Sequence, residues 1–536
     1  MAATHDSSPS LDVEAIFVGT CLRHLVAERD ALAARLCETE AERDALVARV
    51  QRLEKEVARL KVKLEQQART AKRQAAPFAR PRRKLAPKPP GRPAGHPAAQ
   101  RPVPEQIDDE VYEPLTCCPR CGGPVTDIVE LAPQIIIDLD PPPNPGRRVR
   151  RFHNQSGYCS HCRRRVQSRH PDQCSAARGA AGVQLGARLV SIAVDLHSRI
   201  GVTFRKLSGV FAVLFGLVIS PAAWARAARR VSRRLEPTYR SLVAAARQAA
   251  VTNIDETGWY ITWADKRPWL HVFSVPALGL TLFAIRLSRG RDVALEILGA
   301  NYQGTVGIDG WAAYIKLPWP KGQCNGHLLR RCAELLEVQK RGAARFPLAV
   351  QRLLRDGIQV KALLPELCPE DGAALADQVR GEMAQLLDGR IEEPANRRLA
   401  QHLRRHQDEL FTYLDVPGLG ATNNEAEREI IPSVVLRKIS AGNRSGAGAH
   451  DHEIIASVGR TAERHGLLLP LMLPELLCSP EPDRVLPVLG DQPMPPPIPA
   501  LLGWKELIEH ANPRRVRPTG CGLDRRARAE ARSPPA

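Results

Sequence analysis

A proline-rich basic stretch divides this chain and excludes a single compact fold. Residues 66–104 read QQARTAKRQAAPFARPRRKLAPKPPGRPAGHPAAQRPVP, with ten Lys or Arg, nine Pro and no acidic residue. Proline at this density blocks both helix and sheet, so we expect an extended, solvated tether. The GRP within it suits the minor groove of DNA, where Arg is favoured, and a plain linker is the alternative. The segments on either side of the tether must fold as separate units.

Residues 1–65 predict a long helix that needs a partner. From Leu22 to Leu64, steps of three and four visit thirteen positions, of which ten are apolar, and AERDAL occurs at both 27 and 41. This is the a/d seam of a coiled coil. The alternative is a single helix lying on a globular domain. We expect self-association into a homo-oligomer through the coiled coil.

Two Cys-x-x-Cys pairs predict a small zinc-binding domain over residues 105–175. Cys118 and Cys121 form the first pair, and Cys159 and Cys162 form the second after 37 intervening residues. Four thiolates suit tetrahedral Zn²⁺. A redox motif of the thioredoxin kind is disfavoured because two pairs occur without a surrounding βαβ pattern, and chance pairing is the other alternative. Thirteen cysteines, an odd number, also argue against a disulfide framework.

The charge of the chain indicates a polyphosphate partner. The net charge is +19, and residues 145–190 hold ten Arg against one acid, Asp172. Guanidinium groups match phosphate geometry, so Arg163, Arg164 and Arg165 are candidate DNA contacts. A generally basic proteome is the alternative explanation for the net charge.

The N-terminus predicts an intracellular location. MAATHDSSPSLDVEAIF has neither the basic nor the apolar region of a secretory signal. The most apolar run, at 210–219, is half of the roughly 20 residues that a membrane span needs. We therefore expect a soluble cytoplasmic protein without a membrane partner.

Residues 176–250 predict helices. A break at Gly216 is followed by Ser220 and Pro221, the N-cap and first residue of an Arg-rich helix. This is consistent with a helix-turn-helix that reads DNA, and packing beneath a catalytic unit is the alternative. The arginines of the second helix are Arg226, Arg229, Arg230, Arg233 and Arg234.

The next segment predicts a sheet with carboxylates at one edge. VTNID ends on Asp255, two further β-rich runs lie at 269–275 and 280–287, and then come a helix and a fourth short strand ending on Asp309. Three strands, a helix and a fourth strand are the order of a ribonuclease-H-like core. The first and fourth strands are neighbours in that fold, which would place Asp255 beside Asp309.

A third acid is expected on a later helix. Asn423 or Asn424 is suited to cap a helix whose first turn carries Glu425, Glu427 and Glu429. Carboxylates gathered near 4 Å repel by about 4 kcal/mol per pair at an effective dielectric of 20, so such a cluster calls for Mg²⁺ or Mn²⁺. These acids otherwise merely complement the helix dipole, and spacing does not choose among the three.

Over nearly its whole length the chain resembles the large transposases of the insertion sequence 66 family, which are bacterial DDE transposases. The motifs are GRPAGHP, the paired CxxC, DETGW, DGWAAY, the C-x-x-H-x-x-R-R of Cys324–Arg331, and NNEAERE. The resemblance implies that Asp255, Asp309 and Glu427 are the catalytic, metal-binding acids. Two departures, Asn325-Gly326 in place of Trp-Ala and the loss of aromatic residues after Arg437-Lys438, remove no carboxylate.

The resemblance predicts a DNA transposase that binds inverted-repeat ends of double-stranded DNA, nicks them and joins the freed 3′-hydroxyl to target DNA with two Mg²⁺ (or Mn²⁺). It also implies two small accessory proteins and a nucleoid-associated state in a bacterium. The alternative is a catalytically inactive or repurposed sequence-specific DNA-binding protein.

Supporting roles are expected for three residues. His327 is a candidate to orient a carboxylate or touch a phosphate, with a buried, satisfied imidazole as the alternative. Arg437 and Lys438 suit the scissile-strand backbone, with solvated surface charge as theirs. Glu256 is expected to face away from the metals, so that its substitution by Ala is tolerated far better than that of Asp255.

The predicted fold class is multidomain, with an N-terminal α-helical coiled coil, a small zinc-binding domain, a helical region and an α/β ribonuclease-H-like catalytic core. The expected boundaries are 1–65 for the coiled coil, 66–104 for the tether, 105–175 for the zinc-binding domain, 176–250 for the helical region, 251–460 for the core with a helical insertion at about 325–415, and 461–536 for a C-terminal helical segment with a disordered basic tail.

Overall fold

The computed structural model describes residues 101–498, apart from 142–144, 179–181, 263–265, 311 and 340, together with parts of 28–57. The chain divides into two compact units, Met1–Pro89 and Pro90–Ala536. This division falls within the predicted tether. Most of the tether and the tail from 499 onward lie outside the described residues.

In the first unit, the described residues between 28 and 57 are all helical and are together called α1. Seam residues stand in solvent, with Leu32, Leu46 and Leu53 each more than half exposed. A helix with an exposed apolar seam is consistent with the predicted coiled coil. The pairing of two such helices stays a prediction.

The second unit begins with a six-stranded sheet around one long strand. β4 pairs with β1 in parallel and with β3 antiparallel along its first half, and with β2 and β5 along its second half. β6 joins β3 in parallel. The cysteine region is therefore a β structure, in which Cys159 ends the long strand. The strands are β1 (Asp109–Glu113), β2 (Val125–Glu130), β3 (Gln134–Leu139), β4 (Arg147–Cys159), β5 (Arg164–Gln167) and β6 (Val183–Leu185).

Three helices come next, α2 (Ala187–Ser198), α3 (Phe204–Phe215) and α4 (Pro221–Arg247). Gly216 ends α3 with a left-handed φ of 65°, a conformation that glycine adopts without steric cost. The Ser220 hydroxyl accepts a hydrogen bond from the Ala223 N–H, and Pro221 occupies the first turn of α4. The predicted break and cap are confirmed. No helix in the described ranges is both long and apolar enough to cross a bilayer.

A second sheet of five strands has the order β11-β10-β7-β8-β9. β8 is antiparallel to β7 and β9, whereas β10 is parallel to both β7 and β11. The predicted neighbours, the strand of Asp255 and the strand before Asp309, are therefore adjacent. The elements are β7 (Val251–Gly258), β8 (Trp269–Val275), β9 (Leu280–Arg286), α5 (Arg291–Leu298), β10 (Thr305–Ile308), α6 (Ala312–Ile315) and β11 (Lys321–Gln323).

Both faces of the second sheet are covered, which is why β8 and β9 are buried at nearly every residue. Phe273 and Leu282 pack with α4 on one face, and Val272 and Phe283 belong to a cluster with Ile430 on the other. Successive strand residues alternate between the two clusters, as the period of a strand requires. The covering helices near the C-terminus are α12 (Asn424–Ser440), α13 (Gly446–Arg464) and α14 (Leu469–Cys478).

Helix α13 seals the open edge of this sheet at β9. The N–H groups of Ile285, Phe283 and Thr281 donate to side chains of Glu453 (2.9 Å), Ser457 (2.8 Å) and Thr461 (3.1 Å), respectively. Four helical residues rise about 6 Å and two strand residues about 6.8 Å, so the two spacings nearly match. The backbone N–H groups of this edge strand, which could otherwise pair with another chain, therefore have hydrogen-bond partners within the protein.

A group of helices lies between β11 and α12, over the segment for which the sequence predicts a helical insertion. It has its own core, in which Leu354, Met383, Leu399 and Tyr413 are fully buried. The residues before and after it are therefore joined by a second folded body. Its helices are α7 (Asn325–Val338), α8 (Arg345–Leu363), α9 (Pro369–Asp388), α10 (Pro394–Arg405) and α11 (Thr412–Asp415).

Candidate active site and metal centres

Asp255 and Asp309 are brought together by strand pairing. In the parallel pair, Val251 lies opposite Thr305, an offset of 54 residues, and the same offset (309 − 255 = 54) carries Asp255 to Asp309. β10 ends at Ile308, one residue before the acid. Both carboxylates therefore lie at one edge of the sheet, just beyond the parallel pairing of β7 with β10, and β7 itself continues to Gly258 against β8.

Asn423 fastens the helix of Glu427 to this edge. Its side-chain amide donates to the Ile254 carbonyl (2.7 Å), its N–H donates to the Cys324 sulfur (3.1 Å), and its carbonyl accepts from the Glu427 N–H (3.1 Å). Asn423 occupies the N-cap position but its side chain makes no capping bond. The sequence predicted a cap, and the side chain instead reaches the residue before Asp255.

The three helix acids, which sequence spacing could not separate, have different partners. Glu425 pairs with Arg464 (2.5 Å), and Glu429 pairs with Arg460 (2.7 Å). Glu427 instead has the imidazole of His327 at 3.9 Å and remains partly exposed. Of the three, Glu427 is the one whose carboxylate is not held by an arginine among the described residues.

The three acids act on one another electrostatically. Burial, followed by the charges of Glu256, Asp309 and Glu427, raises the pKa of Asp255 to about 7, against an opposing hydrogen bond from the Glu256 N–H. Metal-ligating atoms of three or more His, Cys, Asp or Glu side chains lie within 4.8 Å of one another in one group of the described residues, the four cysteines. The acids thus form a looser cluster, as mutual repulsion dictates.

Glu256 is a buried structural residue. Its side chain has no exposed surface and pairs with Arg289 at 2.7 Å. The Arg289 guanidinium in turn lies over the Trp269 ring at 4.6 Å. Burial raises the pKa of Glu256, and the hydroxyl of Tyr314 and the charge of Arg289 oppose that rise. The expectation that Glu256 only faces away from the metals and tolerates substitution therefore misses its structural role at the sheet edge.

His327 lies in the first turn of α7, where it faces the acidic cluster. About a third of its side chain is exposed, and its Nδ1 has no hydrogen-bond partner among the described residues. The neighbouring Cys324 thiol raises the pKa of His327, and the charges of Asp309 and Glu427 add to the rise. The structure therefore does not contain the fully buried, satisfied imidazole that was the alternative for this residue.

The predicted DNA-binding arginines lie in two places. Arg163, Arg164 and Arg165 are exposed at the turn into β5. Arg437 is in the last turn of α12 and donates to the Thr257 hydroxyl at 3.2 Å, with Lys438 next to it. The second pair is thus close to the strand that carries Asp255.

Cys118, Cys121, Cys159 and Cys162 form one cluster. The sulfurs of Cys118 and Cys162 are 3.9 Å apart, and those of Cys121 and Cys159 are 3.6 Å apart. The Gly122 N–H donates to the Cys118 carbonyl and closes a tight turn between the first two cysteines. Cys117 is exposed and does not belong to the cluster.

The cysteine thiols share too little room to ionise together. Burial opposes ionisation of Cys118, but N–H groups of Arg120 and Cys121 bring its pKa down to about 6. Cys121, burial and Cys118 raise the pKa of Cys162 to about 12. A divalent cation that prefers sulfur removes this conflict, so the donor set fits Zn²⁺.

The sequence did not reveal the positioning roles of two residues, Asn423 and Cys324. Both lie inside motifs that the sequence displays, NNEAERE and C-x-x-H, but the contact between them spans 99 residues. The sequence does not distinguish an Asn that caps a helix from an Asn whose side chain bonds the helix to a neighbouring strand. Only the packing of α12 on the sheet separates them.

Together, the mixed sheet, its helical cover and an acidic cluster at one sheet edge define an α/β protein with a candidate catalytic centre. A protein-family model described as the transposase IS66 family matches residues 182–451, from β6 to α13. This is half of the chain, and the chain belongs to that family. Transposases bind DNA, cut its strands and transfer them to new positions. No curated protein matches the chain.

Proposed function

We propose that this chain is a DDE transposase that binds the inverted-repeat ends of its element, cleaves a strand and joins the 3′-hydroxyl to target DNA. The observation that carries the proposal is the convergence of Asp255, Asp309 and Glu427 from two adjacent parallel strands and one helix. The order of the five strands, in which β8 alone runs opposite to the other four, supports a ribonuclease-H-like core. The helical insertion between the second and third acids is compatible with it.

The acid cluster fits a hard divalent cation. Three carboxylates supply the oxygen ligands that Mg²⁺ and Mn²⁺ prefer. Burial, with the neighbouring negative charges adding to it, raises the pKa of Asp255, and a bound cation would favour its ionised form. Asp255, Asp309 and Glu427 would hold the metal. A cation held by these acids would supply an activated oxygen nucleophile and stabilisation of the oxygen that leaves phosphorus.

The residues around the acids hold them and the DNA strand in place. Asn423 fixes the distance between the Glu427 helix and β7, and His327 lies where it orients the Glu427 carboxylate. Arg437 and Lys438 are placed to contact the backbone of the strand being cut. The exposed arginines Arg163–Arg165 would contact DNA further along.

The cysteine cluster is proposed to bind one structural Zn²⁺. Four sulfurs close the coordination shell, which leaves no position for a substrate and suits a structural role. Such a site would fix β2, β4 and β5 and so position the arginines of the adjoining turn.

The proposal extends to assembly and location. The coiled coil would join protomers so that two DNA ends are held together, and two small accessory proteins would take part. A transposase of this kind acts in the bacterial cytoplasm, at the nucleoid.

The test is an in vitro assay with labelled end DNA and Mg²⁺. Asp255→Ala should abolish strand cleavage and joining while the binding of end DNA persists. Cleavage by the variant would refute the assignment of the acids. A wild-type protein that binds ends but never cuts them would instead favour the alternative, a DNA-binding protein without catalysis.

A further inference from the structure

A cavity of about 440 Å³ lies between the end of the tether, strand β6 and helix α4, away from the acid cluster. Among the described residues, five arginines line it and no Asp or Glu does. Its remaining walls are mostly apolar, from β6, α2 and Leu477. The arginines are Arg101, Arg226, Arg230, Arg233 and Arg234.

The arginines of α4 are not alike, and their partners separate them. Arg229, outside the cavity, pairs with Asp451 at 3.2 Å. Arg234 donates to the carbonyls of Leu476 and Ser479 and ties α4 to the end of α14. Both are structural. The predicted row of DNA-reading arginines along α4 is therefore reduced to Arg226, Arg230 and Arg233.

Arg226, Arg230 and Arg233 make no ion pair with any carboxylate in the described ranges, and each keeps exposed surface. Arg101, the last arginine of the tether, approaches them from the other side and donates to the Val183 carbonyl at 3.1 Å. Burial, then Arg230 and Arg226, lower the pKa of Arg101. Burial and Arg226 likewise lower the pKa of Arg230, against an opposing effect of Cys174.

An arginine cannot relieve such crowding by losing its proton, because the guanidinium stays charged in proteins. Converging guanidinium groups over a partly apolar wall therefore favour a polyanion. Phosphate is the anion whose oxygens match the fork of arginine in pairs. The cavity volume falls within the range of small-ligand pockets, so it has room for more than one phosphate group.

We propose that this cavity is a phosphate-binding site in which Arg101, Arg226 and Arg230 are the ligating side chains. The phosphate comes either from the backbone of DNA or from a free phosphate-bearing small molecule. The first source rests on the proposed function, because it makes the cavity a second anchor for the DNA that the acid cluster cuts. In both cases the ligand bridges the end of the tether and α4.

The experiment uses the full-length chain and inorganic pyrophosphate as the probe, with binding followed by calorimetry. Arg230→Gln and, separately, Arg226→Gln should weaken pyrophosphate binding by about tenfold or more, the effect of losing a charge-assisted bond. Arg205→Gln is the matched control, because Arg205 is an exposed arginine on α3 that does not line the cavity. Circular dichroism checks that all variants are folded.

A second arm separates the two sources by following a short DNA duplex by fluorescence anisotropy. Competition by pyrophosphate that vanishes in Arg230→Gln supports the DNA backbone, as does a fall of about 1 in the salt dependence of duplex binding. Pyrophosphate binding without competition supports a free ligand. If both probes bind Arg230→Gln, Arg226→Gln and wild type equally, the proposal is overturned. Asp255→Ala in the same assays keeps cavity binding intact, so failure of the cavity and failure of the catalytic assignment are distinguishable.

Discussion

Asp255 shows what a single carboxylate can reveal about its site. The sequence predicted that Asp255 lies on a strand, from VTNID, and that the pairing of this strand with β10 places it beside Asp309. The sequence did not predict how far the pKa of Asp255 is raised, because burial contributes most to the rise. Burial of one side chain depends on helices that lie far along the chain.

Asp255→Asn should stabilise the protein without divalent metal at high pH. The pKa of Asp255 is about 7 in the folded chain and in the ordinary range when unfolded, so the unfolded state ionises first as pH rises. The folded state therefore loses stability between about pH 4 and 7, and the deficit is complete above pH 7. Urea unfolding should show a gain of about 4 kcal/mol for Asn at pH 8 that disappears near pH 4. Equal stability of both proteins across this range would contradict the assigned pKa.

Glu256→Ala should be destabilising, in contrast to the tolerance that the sequence suggested. It removes the buried carboxylate that pairs with Arg289, whose guanidinium lies over Trp269, at a cost of about 2–3 kcal/mol given that Arg289 is partly exposed. Glu382→Ala is the control, since its pair with Arg352 is exposed and its loss should cost less than about 1 kcal/mol. Denaturant midpoints measure both. A midpoint for Glu256→Ala equal to that of the control would refute the structural role.

Elements were more predictable than the contacts between them. The strands at 269–275 and 280–287, the helix before Asp309 and the Ser220-Pro221 start of α4 all follow from local patterns. The choice of Glu427 over Glu425 and Glu429 did not, because it depends on Arg464 and Arg460 of α13. Helical spacing predicts on which side of the helix each acid lies, but it does not predict which residue of another helix pairs with it.

Asn423→Ala should weaken the metal response of the active site. Loss of the bond to the Ile254 carbonyl frees the start of α12, so the Mg²⁺ concentration for half-maximal cleavage should rise by about tenfold. Asn424→Ala, at the next and exposed position, should leave it unchanged. Mg²⁺ titrations of end-DNA cleavage compare the two. Equal Mg²⁺ requirements in the two variants would rule out the positioning role.

Cys118→Ser should remove zinc from the full-length protein, whereas Cys117→Ser should not. The two residues are neighbours, but only Cys118 has its sulfur within the cluster. Elemental analysis should give one Zn²⁺ per chain for wild type and for Cys117→Ser, and none for Cys118→Ser. Zinc-free wild-type protein would exclude the proposed centre.

At the scale of the whole molecule, proline density predicted that the segments on either side of the tether fold separately, and the structure divides the chain within that stretch. The exposed apolar seam of α1 is also a feature of the whole molecule, because no other described residue of the first unit covers it. The relation between protomers is a property of the assembled molecule, and a single chain does not contain it.

Leu46→Glu combined with Leu53→Glu should dissociate the oligomer. Charges in an a/d seam remove its apolar contact and repel across it. Ala48→Glu, off the predicted seam, is the matched control. Light scattering should give the monomer mass for the double variant and a multiple of it for wild type and control. A monomeric wild-type protein would exclude the coiled coil.

The row of Glu453, Ser457 and Thr461 that seals β9 has a consequence in time. The Phe283 N–H and the hydroxyl that accepts its hydrogen bond are 174 residues apart in the chain. At roughly 5–20 residues per second, a ribosome needs about 10–35 s to make that interval. A growing chain therefore holds an apolar, unsealed strand for that whole period before its cover is synthesised.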